Sequence, residues 1–268
     1  MQSGGVRFVA IGDSFTEGVG DERPDGTVRG WADLVAEGLA AAAEEPVRYA
    51  NLAVRGRLLD RIATEQVDAA LSLAPPPTLV TVNGGGNDLM RPGLDADRLL
   101  TLTEQAVRRF TDAGVEVVLL SGPDPSARLP FGRVMHRRGE VLTARLAELA
   151  ARCDVRFVSA FDDVEVRRAV YWSPDRLHLG PAGHRRVAGL VLRALGQDGA
   201  AHAVDPGPDA PRRLRSEAAY YREHVLPWVQ RRVRGRSSGD ARTGKHLEWV
   251  DVPPGPVAPV PAERPGQR

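Results

Sequence analysis

The sequence holds one cysteine, Cys153, and one lysine, Lys245. A single thiol cannot close an intramolecular disulfide, and it cannot supply a metal site built from several thiolates, so a reducing compartment suits the chain. A single lysine, remote from the glycine cluster 84–86, excludes a phosphate loop, where lysine must follow the glycines. No run approaches the ~20 consecutive apolar residues needed to span a bilayer; the candidates are short, strand-like stretches such as Val115–Leu120. Met1–Val6 lacks the charged start and apolar stretch of a secretory signal. The expectation is a soluble, cytoplasmic protein without integral membrane association. The six histidines, at 136, 178, 184, 202, 224 and 246, include no two at i, i+4 and none beside a cysteine pair. No metal and no other cofactor is therefore expected. Internal repeats are also absent.

What is present is ordinary globular material. The 268 residues exceed the roughly 100 to 200 typical of one domain, but one α/β domain with a tail accommodates them. A hydrophobic fraction of 42% permits a substantial core. The formal net charge of +1 creates no field that would recruit nucleic acid, although its distribution is uneven. Residues 205–268 carry 12 basic and 8 acidic side chains, leaving 24 and 27 in the body, so the tail is +4 and the body −3. Nearly all cations are arginines, which reads as base composition rather than a demand for guanidinium chemistry.

Short β-branched runs alternate with longer stretches of helical period, as a parallel sheet with crossover helices requires. The spacing predicts five strands, at Val6–Ile11, Val47–Asn51, Thr78–Val82, Val115–Leu120 and Val155–Val158. Helices are predicted at Trp31–Glu44, Leu58–Leu71, Asp95–Asp112, Arg133–Arg152 and Pro181–Leu195. Pro181 suits a first helical turn and Gly196 a residue just past the last one. Residues 1–203 form one predicted domain. Residues 204–268 form a C-terminal extension with one predicted helix, about 212–234, and a proline-rich tail from Val252 expected to be disordered or polyproline-like.

Gly12-Asp13-Ser14 follows the first predicted strand and sets a hydroxyl on a tight turn at its carboxyl end. A serine hydroxyl is a poor nucleophile at neutral pH and needs a base, which in turn needs an orienting group. Asp175 and His178, three residues apart, could supply both: the carboxylate holding one ring nitrogen while the other faces Ser14. Attack on an acyl carbonyl places charge on oxygen, for which donors must already be aimed. The loops holding Gly56 and Asn87, after strands two and three, offer them, so the Ser14 N–H, the Gly56 N–H and the Asn87 amide are the candidate oxyanion hole. In a doubly wound sheet ligands bind at the carboxyl ends of the strands, where all these motifs fall.

These four blocks, in this order, resemble the SGNH hydrolases, a branch of the GDSL esterases and lipases, with the serine, glycine, asparagine and histidine at Ser14, Gly56, Asn87 and His178 and the triad acid at Asp175. The resemblance covers about Val6–Leu195. It implies a flavodoxin-like three-layer α/β/α sandwich, a five-stranded parallel sheet of order 2-1-3-4-5, and hydrolysis of small-molecule carboxylic esters, whether small acyl, sugar-acetyl or lipid-like, through an acyl-enzyme on Ser14. Phe15-Thr16 stands where the family often has a second small residue, and Arg55 and Arg57 flank the glycine; these departures bear on substrate. The extension lies outside the shared pattern.

The same site would serve an acyltransferase if an alcohol or amine outcompeted water, and the fold could also persist as a non-catalytic binding module. Asp13 and Asp88 are expected to fix their loops, and His184 to be a surface or packing residue. Arg91, Asp124, Arg128 and Phe131 are candidates for substrate contact on loops, and the run 231–236 for anion binding, against the ordinary reading of a solvated helix end.

Overall fold

β1 (Arg7–Ile11) is the centre of the sheet, and its last four residues are buried because neighbours and helices cover it on every side. Such a strand reads as a continuous apolar run rather than an alternating one. The structure, a computed structural model, describes residues 5–129, 132–197, 205–209, 239 and 242–255. β1 pairs in parallel with β2 (Val47–Asn51) and β3 (Leu79–Asn83); β4 (Glu116–Ser121) and β5 (Arg156–Ser159) extend the parallel sheet beyond β3. The order β5-β4-β3-β1-β2-β6, read from its other edge, contains the expected 2-1-3-4-5.

The sheet has six strands, not five. β6 (His246–Val252) pairs antiparallel to β2 at what would otherwise be an open edge. Its charged Glu248 and Asp251 are exposed, as suits an edge strand that gets its order from ladder bonds to β2 rather than from apolar pattern. Lys245 anchors its start, donating to Val28 O at 2.8 Å and to the Asp33 carboxylate at 2.7 Å, and the Trp249 indole N–H donates to Pro75 O at 3.0 Å. Part of the extension thus joins the sheet. The predicted helix 212–234, the basic run 231–236 and residues 256–268 lie outside the described residues.

Two helical layers complete the sandwich. α1 (Ser14–Glu17) follows β1, and α2 (Trp31–Ala43) with α8 (Pro181–Ala194) covers one face, burying Trp31, Leu34, Val187 and Val191. The other face carries α3 (Leu59–Arg61), a π-helical turn Ile62–Gln66, α4 (Val67–Leu71), α5 (Gly86–Leu89), α6 (Ala96–Asp112) and α7 (Gly132–Arg152). Ile62, Val107, Phe110 and Leu149 fill the core beneath them. Asp95 caps α6 by accepting the Arg98 N–H at 2.9 Å. Pro181 opens α8, and Gly196, with φ 76°, follows its end.

The π turn breaks what the sequence reads as one helix, Leu58–Leu71. Widening the turn by one residue re-aims the side chains after it. Buried Gln66 accepts the Gly12 N–H at 2.8 Å and donates to Gly12 O at 2.9 Å, so this helix and the turn that carries Ser14 are tied through both backbone groups of one residue.

Candidate active site

Asp13 starts the site by capping α1: its carboxylate accepts the Phe15 N–H at 3.1 Å, leaving Ser14 as the first helical residue. N–H groups in a first turn have no intrahelical acceptor, so that of Ser14 is available to a ligand. Ser14 Oγ lies 3.0 Å from His178 Nε2, and His178 Nδ1 lies 2.6 Å from Asp175 Oδ2. Asp175 does more than contact the ring. Its Oδ1 accepts the Leu177 and His178 N–H groups, each at 2.9 Å, and the Ser173 hydroxyl at 2.6 Å, and so shapes the turn that delivers the histidine. Burial by itself would raise its pKa, but the His178 ring and Ser173 hold the carboxyl well below the usual carboxylate range. It stays anionic at neutral pH.

Gly56 sits in the turn after β2, closed by the Arg57 N–H donating to Val54 O at 3.2 Å. Its φ of 76° is the left-handed conformation that the third residue of a type II turn requires and glycine adopts without strain. Glu17, one helical turn beyond Ser14, holds this loop: its buried carboxylate accepts the Arg55 N–H at 2.6 Å and the Arg55 guanidinium at 2.9 and 2.6 Å. Asn87 is engaged on both amide hydrogens, to Asp13 Oδ2 and to Arg57 O, each at 3.0 Å. An oxyanion entering here would share an N–H that already has an acceptor. Burial raises Asp13 to about 6 despite the bond from Phe15. Asp88 is likewise raised by burial while accepting the Leu59 N–H at 3.0 Å. Both aspartates therefore hold loops.

Ser14, Gly56, Asn87 and His178 border a single cleft of about 320 Å³. Of the loop residues proposed for substrate contact, Asp124 lines it, Arg91 and Arg128 are not among the lining residues, and Phe131 lies outside the described residues. Asp124 is buried and bound to the Ser126 N–H at 3.0 Å and to His136 Nδ1 at 2.7 Å. Among the described residues no group of three or more His, Cys, Asp or Glu could hold a metal ion. No described helix is long and apolar enough to cross a membrane.

Sequence reading missed Gln66, the Glu17–Arg55 clamp and the apolar wall of the cleft on α7. Only the wall left a signal, the helical period of Met135, Leu142 and Leu146, which is indistinguishable from a core-facing stripe.

His184 is fully buried, which selects the packing residue of the two expected roles. Its Nδ1 accepts the Trp31 N–H at 3.2 Å, which assigns the proton to Nε2, 3.1 Å from Val19 O. Burial lowers its pKa to about 4, so it is neutral in the fold. A base depressed below its unfolded value of about 6.5 contributes stability above that pH, and loses it as pH falls through 4. The loss is on the order of 2 to 3 kcal/mol for a shift of this size. In urea titrations from pH 7.5 to 4, His184→Gln should start less stable than wild type, and the gap should narrow by that amount. Parallel curves would contradict this.

A doubly wound sheet with helices on both faces, and a cleft at the carboxyl ends of its central strands, defines the three-layer α/β/α class. The chain belongs to the GDSL-like lipase/acylhydrolase family, whose sequence model matches residues 10–186. It is accordingly a carboxylic ester hydrolase. Solved structures agree on the fold. A catalytic mutant of Axe2, an acetylxylan esterase from Geobacillus stearothermophilus, matches with a TM-score of 0.60 and 22% identity over 74% of this chain and 98% of that one. The lipase Lip_vut3 from a goat rumen metagenome gives 0.59 and 18% over 72% and 98%. The psychrotrophic esterase EstA from Pseudoalteromonas sp. gives 0.55 and 16% over 71% and 96%. No curated protein matches the sequence.

Proposed function

We propose that this ester hydrolase works by double displacement through an acyl-enzyme on Ser14, with His178 as general base and acid and Asp175 as its orienter. The observation that carries the reading is the unbroken hydrogen-bond chain from Asp175 Oδ2 to His178 Nδ1, 2.6 Å, and from His178 Nε2 to Ser14 Oγ, 3.0 Å. As Ser14 Oγ bonds to the carbonyl carbon, its proton moves to His178 Nε2, and the carbonyl oxygen becomes an oxyanion facing the Ser14 and Gly56 N–H groups and the Asn87 amide. Collapse breaks the bond to the leaving oxygen, which takes the proton from His178. Water then repeats the sequence on the acyl-serine, releasing the acid and restoring the hydroxyl.

A phosphonate ester tests this directly, since it captures only an activated serine; the structural relative EstA is known in a form inhibited by monoethylphosphonate. Peptide mass spectrometry after treatment with a p-nitrophenyl phosphonate should find the adduct on Ser14, with hydrolysis lost in proportion to labelling. An unlabelled Ser14, or full activity in the labelled protein, would overturn the mechanism.

A further inference from the structure

We propose that the cleft is an acyl-chain site, selecting esters of medium-chain fatty acids of about six to eight carbons over acetates; the inference rests on the Ser14 acyl-enzyme reading. The cleft passes over the carboxyl edge of the sheet from one helical layer to the other. Leu179, next to His178, belongs to the core under α2 and α8, whereas Leu89, Leu142 and Leu146 belong to the core under α6 and α7. All four residues line the same cleft, together with Ser14 on the central strand's turn.

That arrangement assigns the substrate's ends. The leaving oxygen must receive its proton from His178 Nε2, so the alcohol lies on the α8 side. The carbonyl oxygen points at Gly56 and Asn87. The remaining substituent of the tetrahedral carbon, the acyl chain, is left with the direction of α5 and α7.

The wall it meets there is apolar: Leu89, Met90, Met135, Leu142, Leu146 and Phe161. Of the polar side chains on that side, Asn83, Ser121 and Asp124 are already engaged, the Asn83 amide donating to Leu120 O at 3.2 Å, and Thr143 adds one hydroxyl. The Ser121 hydroxyl is within 3.2 Å of the Ser159 hydroxyl and accepts the Phe161 N–H at 3.3 Å, while Asp124 is held by Ser126 and His136. A sugar ring seated there would strand its own hydroxyls. Gly139 on α7 deepens the wall, because a Cβ would come within 2.4 Å of the Phe161 ring. The volume of about 320 Å³ is at the low end of the ~300 to 1,000 Å³ typical of small-molecule pockets, which suits an ester with a chain of medium length, about six to eight carbons, and not a long one.

The test is a series of p-nitrophenyl esters from acetate to palmitate, which holds the leaving group constant, with kcat/KM normalised to the fraction of Ser14 titrated by a phosphonate. Burying a methylene is worth a factor of up to about four, so with six more methylenes octanoate should exceed acetate by on the order of 10²- to 10³-fold, with a fall beyond decanoate. Leu146→Trp should reduce the octanoate-to-acetate ratio at least tenfold. Met135→Trp, at a half-buried position nearer the mouth, provides the same readout should the deeper variant fold poorly. Acetate as the best substrate of the wild type, or an unchanged ratio in both variants at wild-type titre, would overturn the acyl site while leaving the serine mechanism standing. Failure of the phosphonate to titrate Ser14 would remove that mechanism and this proposal with it.

Discussion

Ser14→Ala is expected to lower kcat on a p-nitrophenyl ester by on the order of 10³-fold or more, with KM nearly unchanged. The methyl group deletes the only atom that can bond to the acyl carbon, while the groups that bind substrate stay in place. Because the oxygen removed lies at the mouth of a cleft and holds no loop, its loss should leave Tm close to that of the wild type; the bonds that define the turn come from Asp13 and Gln66 instead. Residual turnover would reflect water attacking an ester already bound against the oxyanion donors. Stopped-flow measurement of the p-nitrophenol burst distinguishes loss of acylation from loss of binding: the variant should show no burst at any substrate concentration. A variant with a wild-type burst would exclude Ser14 as the nucleophile.

The second large effect concerns a proton's position. In Asp175→Asn the side chain's oxygen can still accept the Leu177 and His178 N–H groups, which are now bound by Oδ1 at 2.9 Å, so the turn should survive. The amide NH₂ then replaces the anionic oxygen that faces His178 Nδ1 at 2.6 Å. A donor there compels the ring to accept on Nδ1 and to carry its proton on Nε2, the nitrogen 3.0 Å from Ser14. A protonated Nε2 cannot take the serine's proton. The expected loss in kcat is on the order of 10³- to 10⁴-fold, with KM and the circular dichroism spectrum little altered. Asp175→Ala, which also removes the turn's acceptor, should in addition lower Tm. Equal activity in wild type and Asp175→Asn would exclude the orienting role.

Much of this molecule was legible in one dimension. All five parallel strands fall within a residue or two of their expected positions, because a strand covered on both faces carries a continuous apolar run, as Phe8–Ile11 and Val117–Leu120 do, bounded by polar or turn residues. The ends of α8 were readable from Pro181 and Gly196 for equally local reasons. β6 was not readable. His246–Val252 mixes Glu248 and Asp251 with Leu247 and Trp249, and only β2's unpaired backbone makes that stretch a strand. The π turn at Ile62–Gln66 escaped for a related cause: it is tied to two bonds between Gln66 and a glycine 54 positions away.

The sequence by itself determined the residue types that can do acyl chemistry, their order along the chain and their attachment to strand ends, since turn chemistry and hydrophobic period act over a few residues. Only tertiary structure decided that Ser14 and His178, 164 residues apart, stand at hydrogen-bond distance. The same holds for Glu17 gripping the loop of Gly56, for the prior engagement of Asn87 by Asp13 and Arg57, and for the apolar wall that α7 turns toward the cleft. Those features depend on how helices seat on a twisted sheet. Seating is set by side-chain packing between remote segments, which no local pattern encodes.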